Sequence, residues 1–228
     1  MQRVRLPSIP IAWKWPFGIL GAVIFTCVYS LLGWFPWQQA ELLPLLDLDR
    51  AVPFLPWTVL VYISDYLFIV LLVRNLDSTE RLSRASYTVG LGAVLTFGIF
   101  LLFPTVYPRQ QQDMQLLWAW LFKMLYGIDS PGNCFPSLHV SMTLICAYLF
   151  HTKYTLTRIG VWGWALAICI STLTTKQHYA IDVFGGIFIS FVALWISGRW
   201  CEFTRGDLLS PSMVAKENEP KIPDRTAG

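Results

Sequence analysis

Apolar residues in this chain come in long runs, not in the short alternations of half-buried strands. Six runs, at about residues 17–36, 55–73, 85–107, 135–150, 158–175 and 178–198, approach the ~20 apolar residues that a bilayer-crossing helix needs. The fourth and fifth are short, so their ends must lie near the interface or be extended by flanking residues. Lipid offers no partner to backbone polar groups, so these runs should be helices. The ten-residue amphipathic strands of a membrane barrel are not what the pattern gives. The expected fold is all-α: a polytopic membrane protein whose residues 1–204 form a six-helix transmembrane bundle. Between the third and fourth runs, residues 110–130 hold Leu116, Leu117, Trp118, Trp120, Leu121, Phe122 and Leu125. This predicts either an amphipathic helix on the outer surface or a cap packed on the bundle. From about Arg205 the chain is polar, of mixed charge, and carries Pro211, Pro220 and Pro223. Residues 205–228 are expected to be a disordered tail.

Composition agrees with lipid as the solvent. Of 228 residues, 55% are hydrophobic and only 14% charged, against about 25% charged in an ordinary soluble domain. The net charge of +3 is too small to argue for a nucleic-acid partner. Cys27, Cys134, Cys146, Cys169 and Cys201 are odd in number and lack a Cys-x-x-Cys pair, so neither a disulfide framework nor a zinc site follows. The placement of the cations gives an orientation. With the N-terminus in the cytoplasm, the inner segments hold Arg3, Arg5, Lys14, Arg74, Arg81, Arg84, Lys153, Arg158, Arg199 and Arg205. The outer loops hold only Arg50, Arg109, Lys123 and Lys176. The positive-inside bias therefore puts both termini in the cytoplasm.

Polar groups near a span need a reason, and they collect in three places. Gly132 to His139 is a Gly/Pro-rich loop running into a helix start. Free N–H groups and the helix dipole favour an anion there, with Ser137 adding a hydroxyl and His139 an acidic proton; a plain helix cap is the alternative. In Lys176 to Asp182, His178 and Asp182 lie four apart, so on a helix their side chains would share one face. A carboxylate on one imidazole nitrogen fixes the tautomer and raises the basicity of the other; a buried pair pinning two helices is the alternative. At the outer end of the third run, Pro104 and Pro108 break the helix and Arg109 follows. All three clusters fall on the outer face. Two histidines, a carboxylate, cations and backbone donors make a phosphoryl-transfer set. Asp65, midway along the second run, would suit a proton site in a transporter, or a hydrogen bond to a neighbouring helix. Gly90, Gly92, Gly185 and Gly186 suggest close helix packing.

These residues resemble the type 2 phosphatidic acid phosphatase superfamily, whose membrane members have a six-helix core. Pro136-Ser137-Leu138-His139 matches that family's Pro-Ser-Gly-His, with Leu138 replacing Gly. Ser171 to Asp182 matches Ser-Arg-x5-His-x3-Asp at the correct spacing, with Thr172 where Arg is usual. The family's Lys-x6-Arg-Pro motif is absent in its usual form, and Arg109 is the nearest candidate. The Pro-Ser-Leu-His form with His-Tyr-x-x-Asp is most similar to the branch containing inositol phosphorylceramide synthases. The resemblance implies a membrane lipid phosphatase acting on a lipid phosphate, or a head-group phosphotransferase passing the phosphoryl group to an alcohol. It implies His178 as nucleophile forming a phosphohistidine, Asp182 as its orienting carboxylate and His139 as acid, then base. Ser137 and the N–H groups around Leu138 would hold phosphate oxygens, with Arg109 and Lys176 completing the clamp. No cofactor is expected, and no metal is needed, since the sequence holds no Asp-rich metal cluster. The expected location is a bacterial inner membrane, with the site facing the periplasm.

Overall fold

The computed structural model describes residues 4–34, 39–108 and 115–204. The elements in chain order are β1 (Val4–Pro7), α1 (Lys14–Trp34), β2 (Glu41–Leu42), α2 (Asp47–Ala51), α3 (Val59–Asn75), α4 (Thr79–Leu102), β3 (Thr105–Val106), α5 (Leu116–Ile128), α6 (Leu138–Leu149), α7 (Thr155–Thr174), α8 (Ala180–Trp200) and β4 (Cys201–Thr204). Among the described residues, five helical stretches are long and apolar enough to cross a membrane: Ile11–Trp34, Pro56–Asn75, Thr79–Leu102, Thr155–Thr174 and Ala180–Arg199. The chain is thus an all-α membrane protein, as its hydrophobic pattern predicts. Arg109 and the tail from residue 205 lie outside the described residues.

The fourth run gives α6, a helix of only 12 residues. At 1.5 Å per residue it spans about 18 Å, well short of a ~30 Å hydrocarbon core. Its position explains how it can be short. α6 packs against α3, α4, α7 and α8, and Leu138, Val140, Met142, Ile145, Cys146 and Ala147 are all buried. The non-helical backbone that leads into it, residues 133–137, is largely buried in protein, where it can find partners. Gly92 lets α4 approach: a Cβ there would meet Ile145 at 2.8 Å and Met142 at 3.1 Å. Gly90, expected to serve the same purpose, faces open space instead.

The third apolar run spans residues 85–107, whereas α4 covers Thr79–Leu102. Ser78 starts it early, its side chain accepting the Arg81 N–H, as an N-cap does. Pro104 lies just beyond its C-cap, Phe103, and β3 then pairs in parallel with β2. α5 occupies the segment predicted to be amphipathic. Phe122 and Leu125 are buried against Val59 and Tyr62 of α3, while Leu116, Leu117, Trp120, Met124 and Ile128 stay exposed. It is therefore both a cap on the bundle and a helix with an apolar outer stripe.

Long-range bonds define the two ends of the bundle. At one end, Lys14 Nζ donates to the Leu76 carbonyl, the Asn75 amide bonds the His151 backbone, and β1 pairs in parallel with β4. Arg74, Arg81 and Arg158 belong to helix ends on this side. At the other end, Ser130 Oγ donates to Gly33 O, Thr58 Oγ1 bonds Thr174 Oγ1 at 2.8 Å, and Ser137 N donates to Asp182 O. The polar clusters of the sequence gather at this second end.

Candidate active site

His178 and Asp182 are held by the turn between α7 and α8. The N–H groups of Gln177 and His178 both donate to Thr172 O, and Lys176 adopts φ 54°. This folds the chain back so that His178 precedes α8 and Asp182 lies in its first turn. His178 Nδ1 is 3.3 Å from Asp182 Oδ2, which also accepts the Tyr179 N–H at 2.8 Å. Asp182 is fully buried and His178 is 8% exposed, so this contact is shielded from solvent. The Asp49 carboxylate of α2 accepts the Ala180 N–H at 2.6 Å. It satisfies one of the free donors at the start of α8, where negative charge is favoured.

α8 then meets the second motif at two glycines. A Cβ on Gly186 would lie 2.6 Å from Ser137 O and 2.9 Å from Val140 Cβ; one on Gly185 would lie 2.7 Å from Phe135. Only hydrogen at these positions allows the approach that lets Ser137 N donate to Asp182 O at 2.9 Å. Ser137 is fully buried and caps α6, its Oγ accepting from Val140 N at 3.4 Å. The first α6 backbone bond runs from Ser141 N to Ser137 O, so the N–H groups of Leu138 and His139 precede the helix ladder. The other side of the loop is fixed by Phe135 N donating to Thr105 Oγ1, Asn133 Nδ2 to Tyr29 O, and Gly132 N to Ser130 Oγ.

This brings His139 and His178 together. Their ring centroids are 6.1 Å apart, with ring planes at 59°. In each ring Nδ1 makes the protein contact: His178 to Asp182, His139 to the Tyr62 hydroxyl at 3.2 Å. Among the described residues, Nε2 of neither ring has a hydrogen-bond partner. A narrow cavity beside His178 is lined by Tyr29, Tyr107, Asp129, Asn133 and Lys176.

The structure treats the remaining sequence candidates differently. Lys176 reaches this cavity, but its ammonium donates to Asp49 O at 2.8 Å and Val52 O at 2.6 Å. It ties α2 and the residue just after it, Val52, to the turn between α7 and α8, with one N–H left. Burial lowers its pKa from the ordinary lysine value, against the raising effect of Asp49. Asp65 accepts the Thr143 hydroxyl of α6 at 2.6 Å, the helix-to-helix bond considered for it. Sequence reasoning did not single out Tyr62, Asp129, Asp49 or Tyr107. Tyr107 is buried and stacks on Tyr179 with centroids 4.3 Å apart. Burial, with Tyr179 and Asp49 close by, pushes its hydroxyl above the usual tyrosine range, so it stays a proton donor. A polar residue next to the Gly/Pro-rich loop was the available signal for Asp129. Tyr107 lies within the third cluster, between Pro104 and Pro108, and no local signal marks Tyr62 or Asp49.

The PAP2 superfamily model matches residues 50–196, which takes in both histidine motifs. The chain belongs to the PAP2 superfamily. That membership supports a membrane lipid phosphatase, a phosphatase-type hydrolase. Among solved structures, the crystal structure of Aquifex aeolicus LpxE is similar to it. That likeness has a TM-score of 0.49 and 17% identity, covering 79% of this chain and 96% of the other. No curated protein matches the chain. Thr172 stands where the family resemblance expects arginine. It is fully buried, and its hydroxyl donates to Cys169 O in its own helix, so it supplies no charge to a phosphate.

Proposed function

We propose that this protein hydrolyses a lipid phosphate at the non-cytoplasmic face of its membrane through a phosphohistidine on His178. The observation that carries the reading is the 6.1 Å separation of the two imidazole rings. In-line transfer needs an attacking atom roughly 3–3.5 Å from phosphorus and an acid within about 2.6–3.2 Å of the leaving oxygen. Rings at this spacing can bracket one phosphoryl group. Charge supports the face: the site lies at the bundle end opposite Arg74, Arg81 and Arg158, and such cations favour the cytoplasmic side.

In the first step His178 Nε2 forms a bond to phosphorus while the ester P–O bond breaks. His139 Nε2–H gives its proton to the departing oxygen. Asp182 holds the Nδ1 proton of His178 and offsets the positive charge of the phosphorylated ring. In the second step His139 takes a proton from water as the water oxygen bonds phosphorus and the N–P bond breaks. Ser137 and the N–H groups of Leu138 and His139 are the donors for the equatorial oxygens, placed where negative charge grows. Arg109 and the remaining N–H of Lys176 are the cations of this clamp. Transfer to an alcohol instead of water is the second reading, favoured by the Pro136-Ser137-Leu138-His139 form of the motif.

The test is a phosphate-release assay on purified protein over a panel of lipid phosphomonoesters and diphosphates, with and without added alcohols. Wild type should release phosphate from at least one lipid, and His178→Ala from none. Unchanged turnover in His178→Ala would refute the nucleophile. Turnover that requires an alcohol would move the assignment to the phosphotransferase.

A further inference from the structure

A second carboxylate stands behind the second histidine. Asp129, just beyond the end of α5, accepts the Tyr62 hydroxyl on Oδ2 at 3.1 Å and the Tyr29 hydroxyl on Oδ1. The Tyr62 oxygen also lies 3.2 Å from His139 Nδ1. We propose that Tyr62 and Asp129 are positioning residues for His139, doing through a phenol what Asp182 does directly for His178. This rests on the phosphatase reading above and adds two residues to it.

The proton count gives the arrangement its direction. A tyrosine hydroxyl has one proton. When Tyr62 gives it to Asp129, its oxygen can only accept from His139. Nδ1 of His139 then carries a proton, and Nε2 is the nitrogen that gains and loses one. That is the tautomer the two steps require: Nε2–H donates to the leaving oxygen, and neutral Nε2 then takes the proton of water. Nδ1–H stays in place throughout, so the pair is restored at each turnover. As long as His139 is an imidazolium, the Asp129 carboxylate also balances its charge across the phenol.

Packing makes the pair rigid. Tyr62 is fully buried among Val59, Phe122 and Leu125, and its ring lies on that of His139 with centroids 4.2 Å apart. Asp129 is anchored by its own N–H, which donates to Leu125 O at 2.7 Å. A purely structural alternative is a polar knot that pins α1, α3 and α5 together, and the test must separate the two.

The discriminating variable is the leaving group. A general acid matters when an alkoxide leaves and matters little when a nitrophenolate leaves, because the latter departs without protonation. The measurement is kcat/KM of the full-length protein in detergent on two lipid-chain phosphomonoesters, one with an alkanol and one with a nitrophenol leaving group. The proteins are wild type, Tyr62→Phe, Asp129→Asn, His139→Ala and the Tyr62→Phe/His139→Ala double variant. Tyr62→Phe should lose about tenfold or more on the alkanol ester, within the range of general acid catalysis, and less than about threefold on the nitrophenyl ester. The double variant should be no slower than His139→Ala alone, because the phenol acts only through that ring. Equal losses on both esters, or losses that multiply in the double variant, would overturn the proposal and leave the polar knot. Tyr62→Phe keeps the buried ring, so it decides the matter even where Asp129→Asn does not fold. A wild type inert on every ester would instead overturn the phosphatase reading itself.

Discussion

Replacing Gly186 by alanine should separate α8 from the loop that carries Ser137 and His139. The new methyl would lie 2.6 Å from the Ser137 carbonyl oxygen, 2.9 Å from Val140 Cβ and 3.1 Å from Val140 Cγ1. Two of these three are backbone or β-carbon atoms, which cannot swing aside. Restoring an ordinary 3.4 Å contact to the carbonyl requires a retreat of about 0.8 Å. Overpacking of this kind costs about 1–3 kcal/mol. For a chain of this size that corresponds to a Tm lower by roughly 2–12 °C. The kinetic effect should be larger, because His178 and Asp182 move with α8 while Ser137 and His139 stay with α6. A misplacement of about 1 Å can cost on the order of 10²-fold in rate. Gly90→Ala is the control: its methyl meets nothing within 4 Å, and it should stabilise α4 by about 0.5–1 kcal/mol. The assay is phosphate release beside thermal unfolding in the same detergent. Gly186→Ala with wild-type kcat and Tm would refute the claim that this contact sets the spacing of the two histidines.

Two further outcomes follow from the bonds already described. Asp65→Asn should keep catalytic activity within about threefold and cost on the order of 1 kcal/mol of stability, since it alters one buried hydrogen bond; loss of catalysis beyond tenfold would give Asp65 a role in the chemistry. Lys176→Ala removes the ammonium bonds to Asp49 O and Val52 O, so it should lower Tm and raise KM together. A rise in KM with unchanged Tm would assign Lys176 to the phosphate alone.

The parts of this protein that were legible in its sequence are those with a period or a spacing. Bilayer-length runs located the long helices, and the four-residue step from His178 to Asp182 survives as a contact. The apolar pattern misses the start of α4 because its first turn is polar, Thr79-Glu80-Arg81, and is capped by Ser78 instead of being apolar. Tyr62 was hidden because it is one aromatic in an apolar run, and its meaning depends on Asp129, 67 positions away. Asp49 is similar: its partner, the Ala180 N–H, lies 131 residues on. A cation beside a histidine motif suggested phosphate for Lys176, but no spacing rule shows that two carbonyls of the chain before α3 compete for it. Gly92 and Gly186 lie at close helix contacts, Gly185 at a close contact with the loop before α6, and Gly90 at neither, because a glycine in a helix does not by itself say which face it occupies.

The most direct measurement is a rapid-quench trap of the covalent intermediate with a lipid substrate labelled in its phosphate. The account predicts acid-labile, base-stable label on the peptide containing His178 in wild type, and none in His178→Ala. Label on another residue, or a fully active enzyme in which no phosphate ever reaches His178, would contradict it.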